Sequence, residues 1–418
     1  MNKANRVVIT GLGAITPLGN TVSEFWDGLA QGKSGADRIT KFDYTKFKTH
    51  FACEVKNFDP LPYIPKNELR RYDYFAQYAI AATEQAIANS QLNSYPSLDR
   101  DRVGVIWASG NGGIFTIQEE MKTYVEGEYT PRFNPFLVPK MIVDIASGLI
   151  SMRHGYRGPN FTTVSACASS NTALIEAMNY IRWGYADVII SGGSEAAITE
   201  IGIGGFGAMK ALSTRNDNPQ AASRPYDQNR DGFVMGEGSC ALVLESLEHA
   251  EKRGATIYAE IVGGGQSADA YHLTATHPEG DGAALGMKAA LRDARIEPSQ
   301  IDYINTHGTS TPLGDISELK GIRQVFGEAV KQMNISATKS MTGHLLGGAG
   351  AAEALAAIMA LQRQLVPPTI NLDTPDPEIP KGFNLTPHKA QKRKIDYVLS
   401  NTFGFGGHNA SVIFKRMM

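Results

Sequence analysis

One cysteine lies in a context that suits a nucleophile. Cys167 stands between a short β-branched run, residues 161–166, and a predicted helix over residues 169–183. A thiol at a sharp strand-to-helix turn is near the positive end of the helix dipole, which lowers its pKa and exposes the sulfur. A lone cysteine is also commonly an inert, buried residue. The local pattern leaves both interpretations of Cys167 open, whereas Cys53 and Cys240 lack such a turn and are predicted to be structural.

Two of the nine histidines are candidate partners for this thiol. His307 follows the apolar run 301–304 and His344 follows the run 333–335, each in a segment rich in glycine, threonine and serine. Each side chain would therefore lie at the carboxyl edge of a strand, where α/β proteins bind ligands. Lys339 is close enough in sequence to His344 to share a pocket and bias its protonation. Taken singly, either histidine could equally be a hydrogen-bonded structural residue.

Two glycine-containing segments need separate interpretations. Residues 400–409 place glycines around Phe405, and such backbone can present N–H donors to an oxyanion or form an ordinary turn after a strand. Gly202, Gly204 and Gly207 fit the letters of a dinucleotide fingerprint, but the polar run that follows cannot supply its second strand. We expect a glycine-rich loop there. The sequence contains no HExxH or paired CxxC motif, so a catalytic zinc is not expected.

Short apolar runs alternate with alanine-rich stretches of helical periodicity, which predicts an α/β protein with helices on both faces of its sheets. The predicted strands are 7–10, 103–107, 188–191, 241–244, 257–262 and 398–400. The predicted helices are 74–89, 169–183, 283–294 and 349–361. The strand and helix around Cys167 resemble the segment from residue 334 into the helix near residue 349. This internal echo suggests two similar halves that meet near residues 253–256.

The composition restricts the class of protein. The chain has 418 residues, 42% of them hydrophobic, and a formal net charge of -2, so a nucleic-acid binder that relies on bulk positive charge is disfavoured. Three cysteines cannot make a disulfide framework. No secretory apolar segment follows the run 7–10, and the apolar stretch 345–361 is interrupted by Glu353. We therefore expect a cytoplasmic protein without a membrane span.

Four motifs occur in a diagnostic order along the chain. They are residues 165–169, 307–311, 339–344 and 404–407. Together they resemble the β-ketoacyl-acyl carrier protein synthases, most closely the type II enzymes of bacterial fatty-acid synthesis. The resemblance runs from residue 7 to the last strand and includes residues 211–233.

The resemblance implies a thiolase-like fold of two similar αβαβα halves in five layers, normally as a homodimer. Residues 1–255 would carry the nucleophile and residues 256–418 both histidines. It implies that Cys167 accepts an acyl group from acyl carrier protein, and that His307 and His344 stabilise the enolate of a decarboxylating malonyl thioester. Lys339 would order the two histidines. The amides of Cys167 and Phe405 would form the oxyanion hole, and Phe405 would also gate acyl entry.

The resemblance also implies binding roles outside the chemistry. The residues that match contacts to the phosphopantetheine arm, which arrives on the carrier, are Thr274, Thr309 and Thr311. The residues that match a basic rim for docking the acidic carrier are Arg70, Arg71, Arg132 and Lys210. The residues that match a structural monovalent cation site of some members are Asn305, Glu353, Ser400 and Asn401. No redox cofactor is implied, and neither nucleic acid nor a membrane is expected as a partner.

Two departures and several alternatives accompany this resemblance. Asn111 stands where many members place an apolar residue that lines the acyl pocket, and His408 stands where threonine is frequent. An amide costs about 1–3 kcal/mol if it is buried without a partner, so chain-length preference is open. The main alternative function is a stand-alone ketosynthase of polyketide or aryl-polyene synthesis. A silent chain-length partner is disfavoured because Cys167 is present, and a thiolase because no second cysteine follows the glycines at residues 404–407.

Overall fold

The computed structural model describes residues 5–417, and its core is one large mixed β-sheet. The strands are β1 Val7–Ile15, β2 Asp37–Arg38, β3 Phe51–Ala52, β4 Val103–Ala108, β5 Asn160–Thr163, β6 Val188–Glu195, β7 Gly238–Ser246, β8 Ala259–Ala268, β9 Tyr303–Asn305, β10 Asn334–Ser336, β11 Leu365–Val366, β12 Gln391–Lys392, β13 Tyr397–Gly404 and β14 His408–Lys415. The helices are α1 Val22–Ala30, α2 Tyr74–Ser90, α3 Ile114–Glu126, α4 Leu137–Met141, α5 Ile145–His154, α6 Ser169–Arg182, α7 Glu200–Ala208, α8 Leu247–Lys252, α9 Asp281–Ala294, α10 Pro312–Phe326, α11 Lys339–Thr342 and α12 Ala349–Arg363.

The strand order shows two similar halves. The ten-stranded sheet runs β10-β9-β13-β14-β8-β1-β7-β6-β4-β5. The central pair is β1 and β8, the first strands of the two halves. β1 lies antiparallel to β7, and β8 lies antiparallel to β14. Further out, β6 is parallel to β4, and β13 is parallel to β9. The halves meet where β1 pairs with β8 from Val7 opposite Ile261 to Ile9 opposite Ala259. The boundary between residues 255 and 256 falls between α8 and β8 and stays a prediction.

Three apolar clusters define the layers. On the outer face of the N-terminal half, α2 and α5 pack against β4 and β6 around Phe75. On the outer face of the C-terminal half, α9 and α10 pack against β9 and β13 around Met287. Between the halves, α6 and α12 share one cluster that includes Met178 and Leu355. With one half of the sheet on each side of the shared helices, the order helix, half-sheet, helix, half-sheet, helix is the five-layered thiolase-like fold that the resemblance implies.

The predicted elements are present, with differences at their ends. The six predicted strands are found, and most are longer because strands such as β6 continue through Gly192 and Gly193, where the apolar signal stops. The segment with Gly202, Gly204 and Gly207 is helix α7 rather than the expected loop, because the side chain of Thr199 caps it by accepting from the amide of Gly202. Among residues 5–417, none of the helices combines the length and apolarity that a membrane crossing needs.

A buried carboxylate near the junction of the halves depends on one arginine. Glu245 of β7 is inaccessible to solvent and accepts from Arg253 Nε at 2.8 Å and from His249 Nδ1 at 2.7 Å. These donors lower the pKa of Glu245 against the opposing effect of burial. Because Arg253 is the permanent cation of the group, its loss would leave a buried charge poorly compensated.

We expect Arg253→Met to lower the free energy of unfolding by about 3 kcal/mol, because breaking a buried ion pair leaves one charge unpaired. Chemical denaturation followed by circular dichroism would measure it. The matched control is Arg157→Met, which removes a pair with Asp101 at the surface and should leave the denaturation midpoint unchanged. Equal losses in the two variants would contradict this assignment.

Candidate active site

Cys167 lies at a tight turn between β5 and α6. Ala166 has a left-handed conformation with a φ of 50°, and the amide of Ala168 donates to the carbonyl of Ser165 at 3.0 Å. The hydroxyl of Ser169 accepts from the amide of Ser165 at 2.9 Å and donates to the carbonyl of Ala166 at 2.6 Å. A non-glycine residue keeps a positive φ only where its surroundings fix it. These bonds therefore set the direction of the thiol.

The protonation of this thiol differs from the sequence-based expectation. Burial raises the pKa of Cys167 to about 12, the charge of Glu195 adds to the rise, and Lys339 and the amide of Phe405 oppose it. The position at a helix N-terminus predicts a lowered pKa, and that prediction is wrong because apolar neighbours such as Leu346 exclude water from the thiolate. The resting group is a thiol, so it must give up its proton as it attacks.

His307 follows β9 and is fixed by a buried carboxylate. The amides of His307 and Gly308 each donate to Glu318 of α10 at 2.9 Å. The ammonium of Lys339 lies 3.4 Å from Nδ1 of His307. Burial first, then the charge of Lys339 and the neighbouring His344, hold the pKa of His307 well below its ordinary value. The ring is therefore neutral near pH 7, and because an ammonium can only donate, the ring proton is on Nε2.

His344 follows α11 and is held through its backbone. Its amide donates to the carbonyl of Val234 at 2.7 Å, and its carbonyl accepts from the amide of Gly236 at 2.9 Å. Its ring meets that of His307 edge-on, with 5.2 Å between the centroids. Burial and Lys339 hold the pKa of His344 well below its ordinary value. Within the described part of the chain, its buried Nδ1 has no hydrogen-bond partner.

A buried ion pair supplies the positive charge beside both histidines. Lys339, at the start of α11, is 1% exposed and pairs with Glu353 of α12, which is 2% exposed. Burial raises the pKa of Glu353 to about 7, and the ammonium acts against that rise. Lys339 thus connects the central helix layer to the histidine pair. The structure places Lys339 beside His307 and near enough to His344 to influence its pKa.

The glycine turn (residues 404–407) closes over the cysteine. A Cβ atom on Gly404 would lie 2.6 Å from the carbonyl oxygen of Ser165 and 3.0 Å from the amide nitrogen of Cys167, so no larger residue fits. The backbone of Phe405 is near enough to the thiol of Cys167 to act against the rise of its pKa. The ring of Phe405 lies 6.3 Å from that of Phe206. The backbone of this turn therefore packs closely against the Cys167 turn, and its part in an oxyanion hole stays a prediction.

A cavity of about 430 Å³ brings eight of the predicted site residues together. Its lining includes Cys167, His307, His344, Phe405, Thr274, Thr309, Thr311 and Lys210. Lys339 lies behind His307 rather than on the cavity surface. The hydroxyls of Thr309 and Thr311 are 3.1 Å apart, which gives the cavity a polar side opposite apolar residues such as Phe206.

The predicted basic rim is exposed. Arg70, Arg71, Arg132 and Lys210 are all at the surface. Lys210 stands at the mouth of the cavity, and the guanidinium of Arg71 lies over the ring of Phe136, 5.5 Å from its centroid. The arrangement leaves these cations accessible to an acidic partner.

The residues predicted to hold a cation are buried around the ion pair. Asn305 donates to the carbonyl of Glu353 and accepts from the hydroxyl of Thr338, each at 3.3 Å. Asn401 donates to Glu318 at 3.2 Å. Among residues 5–417, the buried Oε2 of Glu353 and Oγ of Ser400 have no hydrogen-bond partner. Unpartnered oxygens are what a bound cation would satisfy, so the donor set fits the predicted group.

Asn111 is placed differently from a pocket-lining residue. It is half-buried beyond the cavity described above, and its side-chain amide donates to Glu195 Oε2 at 3.1 Å. Its predicted contact with the acyl chain stays a prediction. His408, the first residue of β14, directly follows the glycine turn and is exposed, with its Nε2 3.1 Å from the position of a Cβ atom on Gly406.

Two carboxylates of the site were not anticipated from the sequence. Glu318 holds the His307 loop, and Asp315 of the same helix accepts from the amide of Ser310 at 3.0 Å. Burial raises the pKa of Glu318 to about 7 and that of Asp315 to about 6. The available signal was two acids three residues apart on an otherwise apolar helix face, directly after the segment with His307.

Removing the charge of Lys339 should raise the pKa values of both histidines, because the ammonium disfavours a second positive charge beside it. The test is an NMR titration of the ring protons in Lys339→Met combined with Glu353→Gln, which avoids an unpaired buried acid. In the wild type both rings should stay neutral well below pH 6.5, and in the double variant they should protonate at higher pH. Glu353→Gln alone is the control that keeps the ammonium. Ordinary titration of His307 in the wild type would contradict the arrangement.

Comparison with known proteins agrees with this geometry. The model of the "Beta-ketoacyl synthase, N-terminal domain" matches residues 4–250, and that of the "Beta-ketoacyl synthase, C-terminal domain" matches residues 258–373. The chain is 49% identical over 414 residues, 99% of each chain, to a protein of Vibrio cholerae named 3-oxoacyl-[acyl-carrier-protein] synthase 2. A β-ketoacyl synthase structure from Burkholderia phymatum is similar with a TM-score of 0.92 and 35% identity, covering 99% of this chain and 100% of that one.

A further solved structure contains a partner protein. It is described as a type II PKS acyl-carrier protein in complex with its ketosynthase bound to the hexaketide, and it matches with a TM-score of 0.90 and 33% identity over 99% of this chain and 100% of that one. The family models together span well over half of the sequence. The chain therefore belongs to the β-ketoacyl synthase family.

Proposed function

We propose that this protein extends acyl chains by decarboxylative condensation of a malonyl group with an acyl group held on Cys167. The observation that carries the assignment is one cavity in which Cys167 meets His307 and His344, with Lys339 3.4 Å from His307. As a member of its family, the protein is an acyltransferase-class condensing enzyme. The 49% identity to a synthase named for acyl carrier protein favours fatty-acid elongation over a polyketide role, since the polyketide ketosynthase structure is 33% identical.

The first half-reaction is transfer of the acyl group to the enzyme. The Sγ atom of Cys167 attacks the carbonyl carbon of the incoming thioester, and the new C–S bond replaces the bond to the carrier's thiol. Because the resting thiol is protonated, its proton passes to the departing thiolate of the carrier, and both histidines are unchanged by this step. The amides of Cys167 and Phe405 stabilise the oxyanion, and each such donor contributes about 3–4 kcal/mol.

The second half-reaction needs neutral histidines. The malonyl thioester loses its carboxylate as CO₂, and the electron pair of the broken C–C bond becomes an enolate on the thioester oxygen. A neutral ring that carries its proton on Nε2, as the ammonium of Lys339 imposes on His307, donates to that oxygen. The enolate carbon then attacks the acyl carbon, and the bond to Cys167 breaks to release the β-ketoacyl product and the thiolate, which regains a proton.

We propose acyl carrier protein as the macromolecular partner. The exposed cations Arg70, Arg71, Arg132 and Lys210 suit an acidic protein, and the related ketosynthase structure contains an acyl-carrier protein. Lys210 at the cavity mouth suits the phosphate of the phosphopantetheine arm. The hydroxyls of Thr274, Thr309 and Thr311 inside the cavity suit its amides.

We propose a homodimer that uses the edge strand β5. β5 ends the large sheet and is half-exposed. At the other end of the sheet, the amide of Ile335 in β10 donates to the carbonyl of Asn384, so a loop covers that edge. An uncovered edge strand beside exposed Val164 suits pairing with a second copy. The cytoplasmic location stays a prediction from the sequence.

A monovalent cation is the proposed structural ligand of Asn305, Glu353, Ser400 and Asn401. Two unpartnered buried oxygens, from Glu353 and Ser400, support it. Such an ion would supply charge compensation beside the ion pair of Lys339, and it takes no part in the bond changes.

Cys167→Ala should abolish the covalent acyl-enzyme and reduce condensation about 10³-fold or more, because the attacking atom is lost. The measurement is mass spectrometry of the intact protein after incubation with carrier protein that is loaded with an acyl group. The matched control is Cys240→Ala, another buried cysteine, which lies in the central strands. An acyl adduct that survives Cys167→Ala, or disappears in Cys240→Ala, would contradict the assignment.

His307→Ala and His344→Ala should retain the acyl-enzyme yet slow malonyl decarboxylation about 10²–10³-fold, because each removes a donor to the enolate oxygen. Release of labelled CO₂ from malonyl-carrier measures the second half-reaction separately from the first. His388→Ala, at an exposed position remote from the cavity lining, is the control. If either site variant decarboxylated at the wild-type rate, that histidine would not have the proposed role.

A further inference from the structure

Glu195 is a buried carboxylate close to the cysteine that the reaction scheme does not use. It is the last residue of β6 and has no solvent exposure. Five hydrogen bonds of 2.8–3.1 Å converge on its two oxygens. The donors are the hydroxyl of Ser109, the backbone amides of Gly110, Asn111 and Gly347, and the side-chain amide of Asn111.

The chemistry of these donors fixes the charge of Glu195. Three are backbone N–H groups and one is an NH₂ group, none of which can accept a proton from a carboxylic acid. A carboxylate that is only an acceptor satisfies all of them, as in other buried anions bound by amides. Burial raises the pKa of Glu195, and the hydrogen bonds from Asn111, Ser109 and the two glycine amides act against that rise. The ionised form is the one that satisfies every donor.

These donors come from two turns that frame the nucleophile. A Cβ atom on Gly110 would lie 2.8 Å from Glu195 Oε2 and 3.7 Å from the carbonyl oxygen of Ala166. A Cβ atom on Gly347 would lie 2.3 Å from the amide nitrogen of Gly110. The turn after β4 therefore packs between Glu195 and the turn that carries Cys167. Leu346, next to Gly347, lines the cavity beside the thiol.

The side chain of Asn111 completes this group. Its amide nitrogen is turned towards Glu195, and its backbone amide also donates there at 3.0 Å. An apolar residue at this position would leave the carboxylate one donor short. Asn111 therefore supplies two of the five hydrogen bonds to Glu195, one from its backbone and one from its side chain.

We propose that Glu195 is a positioning residue for acyl transfer, and that with Asn111 it fixes the wall behind the Cys167 turn through an ionised, amide-bound carboxylate. This proposal rests on the proposed function of the cavity. Besides the five donors, Gly238 faces Glu195 across the sheet from β7, and the titratable thiol of Cys167 lies near enough for the carboxylate to raise its pKa.

The experiment compares Asn111→Asp with Asn111→Leu in the full-length protein. Asn111→Asp preserves the shape but places a second carboxyl group against Glu195, and two such groups share one proton until the pH exceeds their raised pKa. The folded state then binds more protons than the unfolded chain, whose acids titrate near about pH 4, so stability is lost as the pH rises. Asn111→Leu removes the donor without adding a charge, so its deficit should not depend on pH.

Thermal unfolding at pH 5.5 and 8.5 measures this contact without any substrate. We expect the deficit of Asn111→Asp in unfolding temperature to be larger at pH 8.5 by about 2 °C or more. The rate of acyl-enzyme formation, taken relative to wild type at each pH, should fall about tenfold or more between the same pH values. Glu195→Gln should lower it at both values. The control Glu200→Gln, which changes a carboxylate on the neighbouring helix α7 that pairs with Lys122, should match the wild type.

The outcomes separate the steps of the argument. A deficit of Asn111→Asp that is the same at both pH values overturns the ionised contact. A pH-dependent deficit with unchanged acyl transfer overturns the positioning role, because the contact would then be structural only. If the wild type forms no acyl-enzyme, the proposed function fails and the positioning role falls with it, while the unfolding temperatures still decide whether the contact exists.

Discussion

The placement of one ammonium group in the interior is the constraint on which the site depends. Lys339 is 1% exposed, and a buried cation persists only when an anion and further polar groups replace its water. Glu353 supplies the anion from the central helix α12, and His307 supplies a lone pair at 3.4 Å. Burial first, and this charge second, keep both histidines neutral, and the charge acts against the burial that raises the pKa of the cysteine. Protonation of all three groups therefore follows from their burial together with where α11 and α12 place two charged side chains.

The layered fold fixes the relative positions of these side chains. α6 and α12 lie side by side between the two halves, so the N-terminus of one presents Cys167 near the residues that precede the other. Three buried carboxyl groups, those of Glu195, Glu318 and Glu353, then bind the surrounding loops through backbone amides or the ammonium. Each binds a different segment. Hydrogen bonds to buried carboxyl groups therefore fix the loops around the cavity, and apolar residues such as Phe206 contribute to its lining.

The sequence predicted the parts that depend on local pattern. Cys167, His307, His344 and Lys339 were found because each follows a recognisable strand or occurs in a motif, and β6, α6 and α12 followed from apolar periodicity. The pKa of Cys167 was predicted in the wrong direction, because the apolar surroundings that bury it come from residues far away in sequence, such as Phe233 and Leu346. Helix α7 was missed because glycine weakens the helical signal while a cap and packing supply it. Glu195 and Glu318 were missed because a single buried acid has no periodicity, and its partners are backbone amides that no sequence pattern shows.

The shared cluster between α6 and α12 also bears on how the chain is synthesised. α6 ends at Arg182 and α12 begins at Ala349, so a ribosome adding about 5–20 residues per second completes the first helix many seconds before the second. During that interval the inner face of the N-terminal half, with Ile175 and Met178, has no partner to cover it. The nascent half therefore exposes one apolar face. Its tendency to aggregate during synthesis depends on how long that face stays exposed before the rest of the chain is made.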